Sequence, residues 1–417
     1  MTSNDAALAA ARDRFERLKR ANAMIDMTRG KPAPEQLDLS DAMLNILTPE
    51  ECADVGGQDY RNYGIGHGIP EAKKLFADFM GVKPSEIIVG GNSSLNLMYD
   101  TLAGAMLFGL PGSAKPWGKE EQVSILCPVP GYDRHFAICE QLGINMIPVA
   151  MTGTGPDMDE VERLVAADSS IRAIWCVPKY SNPTGVTYTD GTVDRLASLK
   201  AAAPDFRILW DNAYIVHHLG RGPERVKDIL GACRAAGNPE RPILFGSTSK
   251  ITWPGAGVAV IAGSETTIAD LAQKMSFATI GPDKINQLRH VKFFGGVDGI
   301  VKLMDAHAEI IAPKFAAVDR VLEERLAGLG IASWTKPDGG YFVSVDVLPG
   351  CASAVIAKAA EAGLKLTPAG ATWPYGKDPE DRNLRLAPTM PSVEEIERAM
   401  EIFCTCVELV CLPKVEG

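Results

Sequence analysis

The chain has 417 residues, 46% of them hydrophobic and 23% charged, with a formal net charge of −10. That composition is ordinary for a globular protein, the excess of acid argues against nucleic acid as a general partner, and Gly, Pro, Lys or Asp interrupts every apolar run before it reaches a membrane-spanning length. The length exceeds what one core usually holds, so two domains are expected.

The N-terminal stretch Ala6–Met27 mixes Arg and Lys with Asp and Glu at helical spacing. It lacks the apolar core of a signal peptide and predicts an amphipathic helix in a cytoplasmic protein. From about residue 86 to 263, strand-like apolar runs alternate with helical stretches, a pattern that predicts βα units and a mainly parallel sheet. The first run, Glu86–Gly91, leads into Asn92–Met98, the opening of a helix. Free N–H groups at a helix start, with the positive end of the dipole, form an anion site. Ser93 and Ser94 add hydroxyls there, and a capping role uses the same geometry. After the strand Val123–Cys127 comes Pro130-Gly131-Tyr132, where Tyr132 is either a core residue or a stacking ring. The strand Ile171–Val177 precedes Asn182-Pro183-Thr184-Gly185, a turn signal whose Asn182 amide offers both a donor and an acceptor.

Residues Arg207–Trp210 run into Asp211, which puts this carboxylate at the C-terminal end of a buried strand, where open α/β sheets keep their ligand sites. Helix capping is the plain alternative. Pro242–Phe245 reads as a further buried strand, followed by Gly246-Ser247-Thr248-Ser249-Lys250. A lysine lodged there loses hydration, so its ammonium form is disfavoured and its amine becomes a nucleophile suited to Schiff-base chemistry. A snorkelling lysine with a buried stem is the competing reading. Beyond residue 300 the pattern changes to a long helix, Ile300–Leu329, then short strands and helices. Arg382–Ala387 alternates like a strand, and Ser392-Val393-Glu394-Glu395 is a capping box that starts another helix. Nine scattered cysteines fit free thiols in a reducing compartment. Cys404, Cys406 and Cys411 fall in the apolar stretch Ile402–Leu412 and read as core residues rather than metal ligands, and His217-His218 reads as a loop or surface pair. No metal site is expected.

The ordered set Asn182-Pro183-Thr184-Gly185, Asp211-x-x-Tyr214, Ser247-x-Ser249-Lys250 and Asn383-Leu384-Arg385 resembles the class I/II aminotransferases, pyridoxal-phosphate (PLP) enzymes of fold type I. Within them it looks most like a divergent bacterial subgroup described as aspartate aminotransferases. Four motifs in the right order over most of the chain make the match specific. The resemblance implies an α/β fold: a large PLP-binding domain over 51–300 with a mainly parallel central sheet, and a smaller α/β domain from 1–50 and 301–417. Lys250 matches the lysine that forms a Schiff base with PLP and moves the proton at the substrate Cα. Asp211 matches the partner of the pyridine nitrogen, while Tyr214 and Asn182 match the pair that hydrogen-bonds the ring's phenolic oxygen. Tyr132 matches the stacking aromatic, and Ser93, Ser94 and Ser247 match phosphate ligands. Tyr63, in Tyr60–Gly68, matches a tyrosine that reaches the phosphate of a neighbouring subunit, which implies a homodimer with shared active sites. Arg385 matches the clamp on the substrate α-carboxylate, a fork-to-fork contact suited to guanidinium. Gly30, in Thr28–Pro32, resembles the segment that passes over the substrate, and Gly339–Phe342 resembles a strand beside the same pocket.

One departure stands out. The family usually carries a phosphate-binding arginine in a Pro-Gly-x-Arg run, and here Pro254-Gly255-Ala256-Gly257 has glycine in its place. The resemblance implies transamination by a ping-pong mechanism, with aspartate and 2-oxoglutarate as the expected pair. A PLP lyase or decarboxylase on the same scaffold is the alternative, although loss of the α-carboxylate would disrupt a clamp at Arg385. A regulatory protein with an aminotransferase-like domain is expected to need a DNA-binding module ahead of residue 28, where the match begins. Arg29 and Arg134 are candidates for a distal carboxylate, and Tyr341 or Trp253 would instead line an apolar pocket.

Overall fold

Eight strands make the central sheet: β1 (Ile87–Val89), β2 (Ser124–Val129), β3 (Asn145–Thr152), β4 (Gly155–Pro156), β5 (Ile171–Cys176), β6 (Arg207–Asp211), β7 (Pro242–Ser247) and β8 (Ala259–Gly263). Their spatial order in this computed structural model, which describes residues 3–21, 24–53, 56–220 and 224–415, is β1-β8-β7-β6-β5-β2-β3-β4. Strands β7, β6, β5, β2 and β3 run parallel, in agreement with the expected mainly parallel sheet. Strand β8 is antiparallel to both of its neighbours, and β4 is antiparallel to β3. The chain from Ser247 to Ala259 is too short to hold the crossover helix that a parallel return needs, so β8 comes back as a hairpin partner.

The central strands are buried on both faces, which is why they read as unbroken apolar runs. Side-chain parity then divides them between two cores. Ile174, Cys176, Ile208, Trp210 and Leu244 face a core that includes Leu75, Phe76 and Phe79 of α2 (Pro70–Met80). Ala173, Trp175, Leu209, Ile243 and Phe245 face the other, against Leu97, Leu102 and Ala105 of α3 (Ser94–Phe108) and Phe136 and Cys139 of α4 (Asp133–Gln141).

A third core gathers chain segments far apart in sequence. Phe15 of α1 (Ser3–Ala21), Ile25 and Met27 pack with the C-terminal half of a long helix and with strands and helices that follow it. Helix α5 (Lys284–Phe294) precedes that long helix, α6 (Val297–Leu326). Helix α6 spans two cores, with Ile300 and Met304 in the first and Phe315, Val318 and Leu322 in the third. Strands β9 (Ala332–Trp334), β10 (Val343–Val347) and β11 (Asn383–Leu386) form a small antiparallel sheet in the third core. It is covered by α7 (Ala352–Glu361) and α8 (Val393–Val415).

Several sequence expectations shift at their edges. The first helix is described over Ser3–Ala21 and does not reach Met27, because Ile25–Asp26 forms a parallel pair with Leu364–Lys365. Residues 339–342 are not a strand: Gly339 bridges His218, and β10 begins at Val343. The capping box before α8 is present, with the Ser392 hydroxyl accepting from the Glu395 N–H at 3.2 Å and the Glu395 carboxylate from the Ser392 N–H at 2.9 Å. All nine cysteines are free and buried, including Cys404, Cys406 and Cys411 inside α8. Among the described residues no helix is long and apolar enough to cross a membrane, and no cluster of His, Cys, Asp or Glu is arranged to hold a metal.

Candidate active site

The C-terminal ends of β1, β2, β5, β6 and β7 point the same way, so the loops leaving them meet. Those loops carry Ser93 and Ser94 after β1, Tyr132 after β2, Asn182 after β5, Tyr214 after β6 and Lys250 after β7, with Asp211 as the last residue of β6. Arg385 arrives from β11 in the third core.

Lys250 extends its amine to 4.9 Å from the centre of the Tyr214 ring and 6.0 Å from that of Tyr341. Burial holds its ammonium below the ordinary lysine range, and the neighbouring Asp211 carboxylate opposes that shift. Asp211 is buried. Its Oδ2 accepts from His135 Nε2 at 2.9 Å, and its Oδ1 has no hydrogen-bond partner among the described residues. His135 lies flat on Trp175, with ring centres 4.0 Å apart. A buried carboxylate oxygen without a donor is costly, and one aimed at the strand ends fits a ligand carrying an N–H. Tyr132 stands edge-on to His135 at 4.9 Å, and burial raises both the Tyr132 and the Tyr214 phenols, keeping them protonated.

The Ser93 hydroxyl caps α3 by accepting from the Asn96 N–H, leaving the first backbone donors of the helix free. The lysine loop is laced to this helix start. Ser247 donates to Ser249 Oγ at 3.2 Å, Ser249 donates to the Asn92 carbonyl at 3.3 Å, and the Asn92 amide donates to the Gly255 carbonyl at 3.3 Å. Hydroxyls and helix N–H groups thus line one anion cradle beside Lys250.

Arg385 is buried, and its guanidinium lies over the Phe342 ring at 4.9 Å. It donates to Asp133 Oδ1 at 2.8 Å, to Asn182 Oδ1 at 3.3 Å and to Thr367 Oγ1 at 3.4 Å. Gly30 backs onto the same ring: a Cβ there would stand 2.7 Å from Phe342 Cζ, so only glycine lets this segment lie flush against the arginine's platform. Tyr63 is 81% exposed and lies away from these groups on the surface.

Other groups were not foreseen. His135 reads from sequence as an ordinary first-turn residue of α4. Gln36, in the N-terminal segment, donates to His307 Nδ1 at 2.8 Å and to Tyr341 Oη at 3.1 Å, while its own Oε1 accepts from the Ala33 N–H at 3.0 Å. Tyr341 in turn donates to the Lys250 carbonyl at 3.4 Å, which also accepts from His217 Nε2 at 3.3 Å. His217 is therefore not a surface residue. It is 1% exposed, packed edge-on to Tyr341 at 5.6 Å, and burial keeps its imidazole neutral. Of the candidates for a distal carboxylate, Arg29 is exposed and Arg134 is exposed beside Ser93 in a surface cleft. Trp253 donates its indole N–H to the Leu37 carbonyl at 3.1 Å.

An amine nucleophile, an aspartate with one oxygen on His135 and the other open, and an anion cradle at the strand ends of one sheet, with an arginine reaching in from a second core, define an enzyme of amino-group chemistry on the fold type I scaffold. The chain belongs to the aspartate amino-transferase family, whose sequence model matches residues 1–417, and it is an aminotransferase rather than a lyase or decarboxylase. It is 48% identical over 407 residues to a putative aminotransferase of Mycolicibacterium smegmatis, covering 97% of this chain and 95% of that one. An aspartate aminotransferase of Corynebacterium glutamicum is 47% identical over 396 residues, covering 95% and 91% of the two chains. The crystal structure of an aspartate transaminase from Corynebacterium glutamicum superposes with a TM-score of 0.96 at 45% identity, covering 99% of this chain and 98% of that one.

Proposed function

We propose that the enzyme moves the amino group of L-aspartate to 2-oxoglutarate in two half-reactions, with PLP carried on Lys250. The observation that carries this reading is a half-buried lysine amine, its ammonium disfavoured by the surrounding protein, at the same strand ends as the unpartnered Oδ1 of Asp211. Bound there, PLP would supply an electron sink for negative charge at the substrate Cα.

The chain's own groups have separable tasks. Lys250 would hold the cofactor and carry the proton at the substrate Cα, for which an amine poised below its ordinary range is suited. Asp211, steadied by His135, would keep a ring nitrogen protonated. Tyr214 and Asn182 would serve the phenolic oxygen, and Tyr132 would lie against the ring. Ser93, Ser94 and Ser247, with the N–H groups at the start of α3, would take the phosphate. Arg385 grips the α-carboxylate, with Asn182 beside it and the Gly30 segment over it. In the free enzyme Arg385 is paired with Asp133 at 2.8 Å, so the substrate carboxylate competes for a guanidinium that is already oriented.

Aspartate is favoured by the name of the Corynebacterium glutamicum relative at 47% identity. A second copy completes the site in this reading, with Tyr63 reaching the partner's phosphate. Tyr63 and Phe277 are 81% and 88% exposed, and their segments are tied by Lys284 donating to the Gly64 carbonyl at 3.1 Å. We further read the chain as a large domain over 51–300 and a small one from 1–50 and 301–417, in keeping with the third core that joins Phe15 to α8.

The test is the visible absorption of the enzyme loaded with PLP, followed through addition of L-aspartate and then 2-oxoglutarate. A band lost with aspartate and restored by the oxo acid is the expected result. A band indifferent to aspartate but responsive to another amino acid would overturn the substrate, and no band at all would overturn the cofactor.

A further inference from the structure

The cradle built by Ser93, Ser94 and Ser247 offers hydroxyls and helix N–H groups to a dianionic phosphate, and the cation that shares a cleft with Ser93, Arg134, is exposed to solvent. A side chain at position 257 could not easily provide one. A Cβ on Gly257 would stand 3.0 Å from Thr248 Oγ1, 3.2 Å from the Trp253 carbonyl and 3.4 Å from the Ser249 N–H.

Helix α5 closes the other side of this loop. Its Asn286 amide donates to the Gly257 carbonyl at 2.7 Å, and its His290 ring nitrogen meets the Thr252 hydroxyl at 2.9 Å. Gln287, on the same helix, donates to the carbonyls of Val89 and Gly90 at 3.2 and 3.3 Å, just ahead of the α3 cap. Arg289 lies on this face, half-buried, with its guanidinium over the Trp253 ring at 5.5 Å and one Nη donating to Asn286 Oδ1. Among the described residues its Nε has no hydrogen-bond partner, a feature it shares with Arg172, Arg207, Arg382 and Arg385, but Arg172, Arg382 and Arg385 each have a carboxylate on another guanidinium nitrogen, whereas Arg289 bonds only the Asn286 amide oxygen. An arginine held by a neutral amide and an indole face, with an N–H left over, is a cation without its anion.

The geometry points to Arg289 as the cationic partner of the cofactor phosphate, standing in from α5 for the side chain that Gly257 lacks; this rests on the PLP reading above. Asn286 is then a positioning residue that ties Arg289 to the lysine loop. The contact is a charge-assisted hydrogen bond to phosphate, so it affects ligands only when they carry that group.

The experiment compares pyridoxal phosphate with phosphate-free pyridoxal, each titrated into cofactor-stripped wild type, Arg289→Ala and Arg289→Lys, with dissociation constants read from the visible band and from tryptophan fluorescence. Arg289→Ala is expected to weaken pyridoxal phosphate by about ten- to a hundredfold while pyridoxal changes little, with Arg289→Lys in between. If Arg289→Ala does not fold, Arg289→Gln, which keeps the stem and a donor, carries the same comparison. Equal losses for both ligands, or no loss for either, would overturn the assignment. A wild type that binds neither ligand would instead overturn the PLP reading itself.

Discussion

Replacing Gln36 by leucine tests the least visible part of the site. Gln36, Ala33, His307 and Tyr341 are all 0% exposed, so nothing but protein can satisfy their polar atoms. In Gln36→Leu the Ala33 N–H and His307 Nδ1 lose their partners, and each buried orphan costs about 1–3 kcal/mol. Tyr341 keeps its bond to the Lys250 carbonyl and loses only an accepted one, about 0.5–1.5 kcal/mol. The added apolar burial returns about 1 kcal/mol. His307 cannot relieve the loss by protonating near neutral pH, because burial pushes its imidazole down to about 4. The net cost is about 4 kcal/mol. With an unfolding entropy of about 2.1 cal/mol/K per residue, 417 residues give about 0.9 kcal/mol/K, so Tm should fall by about 4–5 °C. Calorimetry on wild type and Gln36→Leu at equal cofactor saturation measures it. A shift within about 1 °C would refute the claim that these bonds have no substitute.

Lys250→Met should stabilise the cofactor-free enzyme at neutral pH, because wild type must bury an ammonium. The lysine's folded pKa lies below its ordinary 10.5, so the unfolded chain holds the proton more tightly. The advantage of Met is therefore full below the depressed value and fades as pH rises toward 10.5; a gap that widens with pH would contradict the burial argument. Arg385→Lys should raise KM for the amino donor by about ten- to a hundredfold, since lysine cannot reproduce the bidentate fork, while the cofactor's absorption stays as in wild type. Steady-state kinetics decides it, and a KM within twofold would remove Arg385 from the carboxylate. Ser392→Ala deletes the hydroxyl half of the α8 capping box and should cost about 1 kcal/mol, seen as a lower urea midpoint with unchanged kinetics.

What the sequence made legible follows from locality. Asp211 and Lys250 each end or follow an apolar run, and strand ends are where a parallel sheet keeps its ligands, so both could be assigned to the site from short segments. The Ser93 cap and the Ser392 box are local too. His135 was opaque because its role depends on strand order: β5 lies between β2 and β6, and only that arrangement swings α4 across to Asp211. Gln36 and His307 are 271 residues apart in sequence, and no periodicity reports such a contact. His217 looked like a loop histidine because the Tyr341 ring that buries it comes from beyond α6. The antiparallel β8 was readable in principle from the short connection after Lys250, but the alternating βα pattern before it suggested another parallel strand.

The three cores give the site a division of labour. Apart from Tyr63, the groups proposed to touch the cofactor ring or phosphate sit on the large sheet, the loops at its strand ends or the helices packed on it, so their geometry is fixed by strands buried on both faces. Arg385 and Phe342 belong to the other side, on or beside the small sheet. Their position relative to Lys250 depends on contacts between the cores. Among the polar contacts that bear on that relation are Arg385 to Asp133 and Asn182, Tyr341 to the Lys250 carbonyl, and the backbone bonds of Leu219 to Asp338 and of Gly340 to His217. The N-terminal segment bears on both, through Gly30 against Phe342 and Gln36 against Tyr341. The segment before residue 40 thus touches both the Phe342 ring that carries Arg385 and the Tyr341 hydroxyl that reaches the Lys250 carbonyl, so it is packed between the two halves of the site.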